Sequence, residues 1–220
     1  MKIRDLSQAY TNGMPHAPTI PGPRFEQVKT VEDHGYSVTQ LSVATHIGTH
    51  IDAPSHLIED GQTIEEVPLG ALVGPAFAIS VDKAPGQQIT AAELESAVGE
   101  SFSGDALLIR TGWGDRFGEE EYADHPYLSE SAARWIVDRG FRLVGVDFTT
   151  PDAPGHRRTA AFDFPVHRIL LGSGVFIVEH LYLEGVVGER FLLVVGALKV
   201  HGADGAPARV LALLEGEEDR

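Results

Sequence analysis

His46-Ile47-Gly48-Thr49-His50-Ile51-Asp52-Ala53-Pro54-Ser55-His56 is the stretch on which the reading of this chain turns. It holds three of the ten histidines and one aspartate, all at even positions. The odd positions Leu41, Val43, Ile47, Ile51 and Leu57 carry most of the apolar side chains around it. A period of 2 gives extended chain one apolar face and one polar face able to hold a metal. One straight strand would fail at this, because at ~3.3 Å per residue His46 and Asp52 would stand ~20 Å apart. Metal–ligand bonds are only ~2 Å long. Gly48 and Pro54 argue against a helix. The chain must therefore bend, and Gly48, free to adopt positive φ, is the expected place. The motif is expected where a strand end turns into a loop.

Two neutral imidazoles and one carboxylate, from His46, His50 and Asp52, suit a borderline divalent ion and leave positions open for water. His56 lies past Pro54 and is open to three readings: a ligand, a base or plain surface. A histidine beside activated water makes a natural proton shuttle, since its reference pKa of ~6.5 is close to working pH. A second site needs ligands from elsewhere. His167 stands out, because a buried strand twelve residues on delivers Glu179 and a helix–turn–strand return can bring the two together.

The 220 residues fit one domain, 1–220, with residues 1–24 as an extended, proline-rich N-terminal arm. Apolar residues make up 43%, and there is no cysteine, so no disulfide or thiolate ligand is available. A net charge of −15 argues against nucleic acid or an anionic membrane as partner. No apolar run approaches the ~18 residues of a membrane span, and the N-terminus lacks a signal-peptide core, so a cytoplasmic protein is expected.

The periodicity predicts strands at Phe25–Val31 and Tyr36–Thr45 with a turn at His34-Gly35, then strands at 76–81, 106–110, 143–146, 175–178, 191–198 and 210–214. It predicts helices over 91–98, capped by Thr90-Ala91-Ala92-Glu93, over about 130–138 after Ser129, and over 164–171. Many strands with about three helices make a strand-rich α/β fold.

His46-x-Gly48-Thr49-His50-x-Asp52-x-Pro54-x-His56 resembles the signature of the metal-dependent cyclase-like hydrolases, a family that includes bacterial kynurenine formamidase and isatin hydrolase. Further landmarks are Leu108-Ile109-Arg110-Thr111-Gly112-Trp113, Val144-Gly145-Val146-Asp147, His167 leading to Ile177-Val178-Glu179, and a closing block with Gly202, Gly205, Pro207 and Arg209. The resemblance implies a single swivelling β/β/α domain in homodimers or homotetramers. It implies two divalent ions per chain, zinc or manganese. His46, His50 and Asp52 would hold the first; Asp52 would bridge to the second, on His167 and Glu179. His56 matches the acid/base position. The implied reaction is hydrolysis of a C–N bond in a small amide, either an aryl formamide or a cyclic amide or imide, with a lactone or ester as the variant.

Two positions depart from the family. Ile20 stands where the formamidases carry tryptophan, which removes a stacking surface. Phe148 follows Asp147 and offers an aromatic wall to a substrate or a core side chain. A cupin-like mononuclear metal protein or dioxygenase is the competing class. It would want a His-x-His pair, and the chain has none.

Overall fold

Short, nearly continuous apolar runs such as Ala106–Arg110 and Leu143–Val146 are buried on both faces, as expected of parallel strands covered on each side. The computed structural model describes residues 1–99 and 105–216. In chain order its elements are β1 (Lys2–Asp5), β2 (Arg24–Lys29), α1 (Val31–His34), β3 (Val38–Ser42), β4 (His50–Asp52), α2 (Leu69–Leu72), β5 (Val73–Ser80), β6 (Gln88–Ile89), α3 (Ala91–Val98), β7 (Ala106–Arg110), β8 (Tyr127–Leu128), α4 (Glu130–Asp138), β9 (Leu143–Val146), α5 (Pro165–Gly172), β10 (Phe176–Glu179), β11 (Arg190–Ala197) and β12 (Gly205–Leu214).

The main sheet runs β1-β12-β11-β5-β7-β9-β10-β4, and β4 pairs again with β12. That second pairing closes seven strands into a barrel, with β1 attached outside on β12. β5, β7, β9 and β10 are parallel, while β11, β12 and β4 join them antiparallel.

Alternation along each strand divides the core in two. Ala76, Ala78, Leu108, Leu143, Val178 and Ile51 fill the barrel. Ile79, Leu107, Ile109, Val144 and Ile177 face outward and pack with Leu94 of α3, Ile136 of α4 and Leu170 of α5. The capping box predicted at Thr90–Glu93 forms, and Ser129 caps α4. No helix among the described residues is long and apolar enough to cross a membrane.

The segment before the motif differs from expectation. The 36–45 strand shortens to Val38–Ser42, and its partner is β2 alone. This hairpin stands clear of the barrel, so Leu41, expected on an inward apolar face, is 64% exposed. Its connection is a single helical turn ended by Gly35 in the left-handed conformation. The arm also contributes a strand, β1, that its prolines did not suggest, since all of them lie after residue 14.

Candidate metal centre

The bend expected at Gly48 is present: φ is +58° there, and the chain turns from loop into β4 two residues later. The arm braces this bend. A Cβ on Gly48 would meet Met14 Cε at 2.4 Å and the Tyr10 ring at 3.0 Å. The Tyr10 hydroxyl lies 2.7 Å from the Ile47 carbonyl and 2.6 Å from that of Thr49, on either side of the glycine.

Within β4, Ile51 points into the barrel while His50 and Asp52 point out toward α5. β10 aligns Glu179 opposite His50 and Ile177 opposite Asp52. Glu179 therefore emerges on the same outer face as the two motif side chains. α5 lays His167 over that face. His50 Nε2 lies 3.2 Å from Asp52 Oδ1 and 3.4 Å from Glu179 Oε2. His167 Nε2 lies 3.5 Å from Asp52 Oδ2 and 3.3 Å from Glu179 Oε1. His50, Asp52, His167 and Glu179 are all buried.

His50 Nε2, Asp52 Oδ2 and Glu179 Oε1 have no hydrogen-bond partner. Buried polar atoms left unpaired cost free energy, and three of them converging here fit a shared cation. Among the described residues, the ligand atoms of His46, His50 and Asp52 lie within 4.8 Å of one another. So do those of Asp52, His167 and Glu179, and the two trios share Asp52.

The surroundings set ring orientation. The Gly48 carbonyl accepts from His50 Nδ1 at 2.7 Å, which turns Nε2 to the cluster. Asp152 does the same for His167, accepting from Nδ1 at 2.6 Å. It also accepts from the backbone N–H groups of Val166 and His167, at 3.0 and 3.2 Å. Those are free donors at the start of α5, where Phe164, the residue before the helix, offers no cap. Such carboxylate–histidine pairs fix the tautomer and raise the basicity of a metal ligand.

His46 sits between two carboxylates, Nδ1 at 2.7 Å from Asp52 Oδ1 and Nε2 at 2.8 Å from Asp204 Oδ2. Burial works against its charge, but the Asp52 charge and both hydrogen bonds outweigh this and hold its pKa up to about 10. Burial likewise works to raise Asp52, and the His46 charge and hydrogen bond, with the His167 and His50 rings close by, hold it well below the usual carboxylate range. Asp204 is lowered by its hydrogen bonds with His46 and His56. Gly205 makes room for this arrangement: a Cβ there would stand 2.8 Å from His46 Cε1.

His56 follows on a 3₁₀ turn, Pro54–His56. Its ring centroid is 3.8 Å from that of His46 and 6.0 Å from that of His167, and Nδ1 is 3.2 Å from Asp204 Oδ2. It is half-buried, at the more open side of the cluster.

The two positions that depart from the family differ in exposure. Phe148 is fully buried, stacked on His125 with centroids 5.6 Å apart, and belongs to the core beneath the helices; it offers a substrate no surface. Ile20 is half-buried in a turn of the arm, its N–H on the Ala17 carbonyl. Arg209 forms an exposed ion pair with Asp5.

Three residues of the centre carried no local signal. Asp204 and Asp152 are ordinary loop aspartates in the sequence. His180, next to Glu179, would point away from it on a straight strand. Instead the chain turns left-handed there, with φ +56°, and His180 comes within 5.8 Å of the His50 ring. Tyr122 Oη holds its Nδ1 at 2.8 Å. Burial, then the His50 charge, keep its pKa well below the usual histidine range.

The arrangement defines a class: a histidine–carboxylate metal centre on the outer face of a mixed β-barrel, roofed by one helix. Comparison with known proteins narrows it. The profile of the family described as "Putative cyclase" matches residues 4–153, and the chain belongs to that family. It is 31% identical to a kynurenine formamidase of Bacillus cereus over 94% of this chain and 95% of that one. A solved structure described as a potential metal-dependent hydrolase with cyclase activity shares 30% identity and superposes with a TM-score of 0.79, covering 98% of this chain and 99% of that one. Isatin hydrolase A of Labrenzia aggregata, solved with benzyl benzoate, shares 26% identity with a TM-score of 0.83, over 97% and 94%.

Proposed function

We propose that this chain is a metal-dependent amidohydrolase that cleaves the C–N bond of a small aryl formamide or cyclic amide. The observation that carries this is the convergence of unpaired buried ligand atoms from His50, Asp52 and Glu179 beneath His167. His46, His50 and Asp52 would hold one divalent ion, and Asp52, His167 and Glu179 a second, zinc or manganese. A cation bound there supplies Lewis acidity, lowering the pKa of water and polarising a carbonyl.

The protein's own part is orientation and proton movement. Asp152 and the Gly48 carbonyl keep His167 and His50 aimed at the cluster. Asp204 engages Nδ1 of His56, so Nε2 is the nitrogen available to take a proton from water and return it to the departing nitrogen. The balance is that of hydrolysis: the hydroxyl of water joins the acyl carbon, the C–N bond breaks, and the proton ends on the amine. The likeness to a kynurenine formamidase and an isatin hydrolase supports both the open-chain and the ring-opening substrate.

We further propose a homodimer or homotetramer. The two-stranded β2–β3 hairpin exposes Val28, Val38 and Leu41 together with Val31 and Tyr36 of its connection, and an isolated hairpin is at best marginally stable.

The test is elemental analysis of purified protein with a hydrolysis screen of N-formylkynurenine, isatin and cyclic imides after zinc or manganese loading. Two ions per chain and metal-dependent amide cleavage are expected. His56→Ala should keep the metal and lose rate. One iron per chain with no hydrolysis would refute the reading in favour of a cupin-like oxygenase.

A further inference from the structure

The loop entering α5 carries two adjacent arginines with different surroundings. Arg157 is exposed and committed: Nε and Nη2 donate to the two oxygens of Asp124 at 2.8 and 2.9 Å. Arg158 is half-buried and pairs with no carboxylate among the described residues. Its Nε donates to the Ala153 carbonyl at 2.7 Å, which fixes the side chain; among the described residues the terminal nitrogens have no hydrogen-bond partner, and the charges of Asp152 and Glu179 act on the group from nearby. The guanidinium carbon lies 5.0 Å over the Phe162 ring and 4.7 Å over that of Phe164. Those rings meet edge to face, with centroids 5.3 Å apart.

This box adjoins the metal centre. Phe164 holds a left-handed backbone, φ +57°, a conformation costly for an aromatic residue and common at binding sites. Its ring stands 6.1 Å from that of His167. Steps of 4.7 and 6.1 Å put the guanidinium no more than about 11 Å from the His167 ring, within reach of a ligand held at the cluster. A cation fixed by one hydrogen bond and two rings, with a free fork of donors, is the geometry that recognises a carboxylate.

We infer that Arg158 is the specificity-determining residue of this site: it receives the carboxylate of an aromatic acid whose N-acyl group lies at the histidine–carboxylate cluster. Phe162 and Phe164 flank the guanidinium and give it an apolar border. The inference rests on the amidohydrolase reading, and it selects within it an anionic aryl amide over a neutral one.

The experiment compares N-formylanthranilate with its methyl ester, which differ in the one charge. Measurements are made on wild type, Arg158→Ala and Arg158→Lys, all zinc-loaded. Calorimetry follows binding of N-acetylanthranilate to the same proteins before and after loading. A charge-assisted hydrogen bond is worth about 10–100-fold, so Arg158→Ala should raise KM for the acid by about that factor. The ester should change less than about threefold, and Arg158→Lys should restore part of the loss. N-acetylanthranilate should bind Arg158→Ala correspondingly more weakly. Equal losses on acid and ester, or no loss on either, would overturn the assignment. If wild type hydrolyses neither compound, the aryl-formamide half of the amidohydrolase reading fails. The calorimetry then still decides: binding that depends on Arg158 supports the site, and binding that does not, or none at all, overturns it.

Discussion

Gly48→Ala is the sharpest perturbation of the bend on which the centre depends. The backbone there has φ +58°, where a Cβ costs about 1–2 kcal/mol. The added methyl would also stand 2.4 Å from Met14 Cε and 3.0 Å from a Tyr10 ring atom. Met14 ends in a flexible thioether and can give way, but the Tyr10 ring is anchored on the Ile47 and Thr49 carbonyls. Overpacking of this kind adds about 1–3 kcal/mol. The lower entropy of alanine in the unfolded chain returns about 0.4–1 kcal/mol. The expected net loss is therefore about 1–5 kcal/mol, read as a lower urea midpoint at unchanged slope, with chelator present so that metal binding does not mask it. The same change displaces the carbonyl that orients His50, so zinc affinity should fall about 10–100-fold in a competition titration. Adding Met14→Ala should give a double variant less destabilised than the sum of the singles, since the shared clash is gone. A loss under about 0.5 kcal/mol with zinc affinity intact would show that the left-handed bend does not hold the ligands.

Other expectations follow from neighbouring residues. Asp152→Ala strips the acceptor from three buried donors and should cost about 2–4 kcal/mol in denaturant unfolding, along with zinc affinity. Asp152→Asn, which keeps an acceptor, should cost less, and equal costs would deny the carboxylate its role. Glu179→Gln should lower the metal content of loaded protein measured by native mass spectrometry; unchanged stoichiometry would remove Glu179 from the proposed ligands. Burial depresses the His125 pKa to about 4. The folded state then stays neutral while the unfolded state takes up a proton below pH ~6.5, so this group's stability is whole above 6.5 and drains as pH falls toward 4. The loss should reach about 3 kcal/mol across that window. His125→Phe should flatten the slope of unfolding free energy against pH, and an unchanged slope would place the titration elsewhere.

The sequence by itself determined the local part of this protein. Gly48 had to bend because a straight chain cannot bring His46 and Asp52 together. Once it bends, strand alternation puts Ile51 in the barrel and His50 and Asp52 outside it. The capping box at Thr90 and the cap at Ser129 place α3 and α4, because those signals lie within one helical turn. Only the tertiary structure decided what closes the centre. Asp204 reaches His46 across 158 residues of sequence, and His50 meets Glu179 through strand register. The exposure of the β2–β3 hairpin and the burial of Phe148 were equally out of reach, since alternation names a face but not what covers it. Asp152, Asp204 and Arg158 look like any charged loop residue because a charge has no periodicity to read. Its role is set by what faces it, and that is fixed by strand pairings and loop paths far away along the chain.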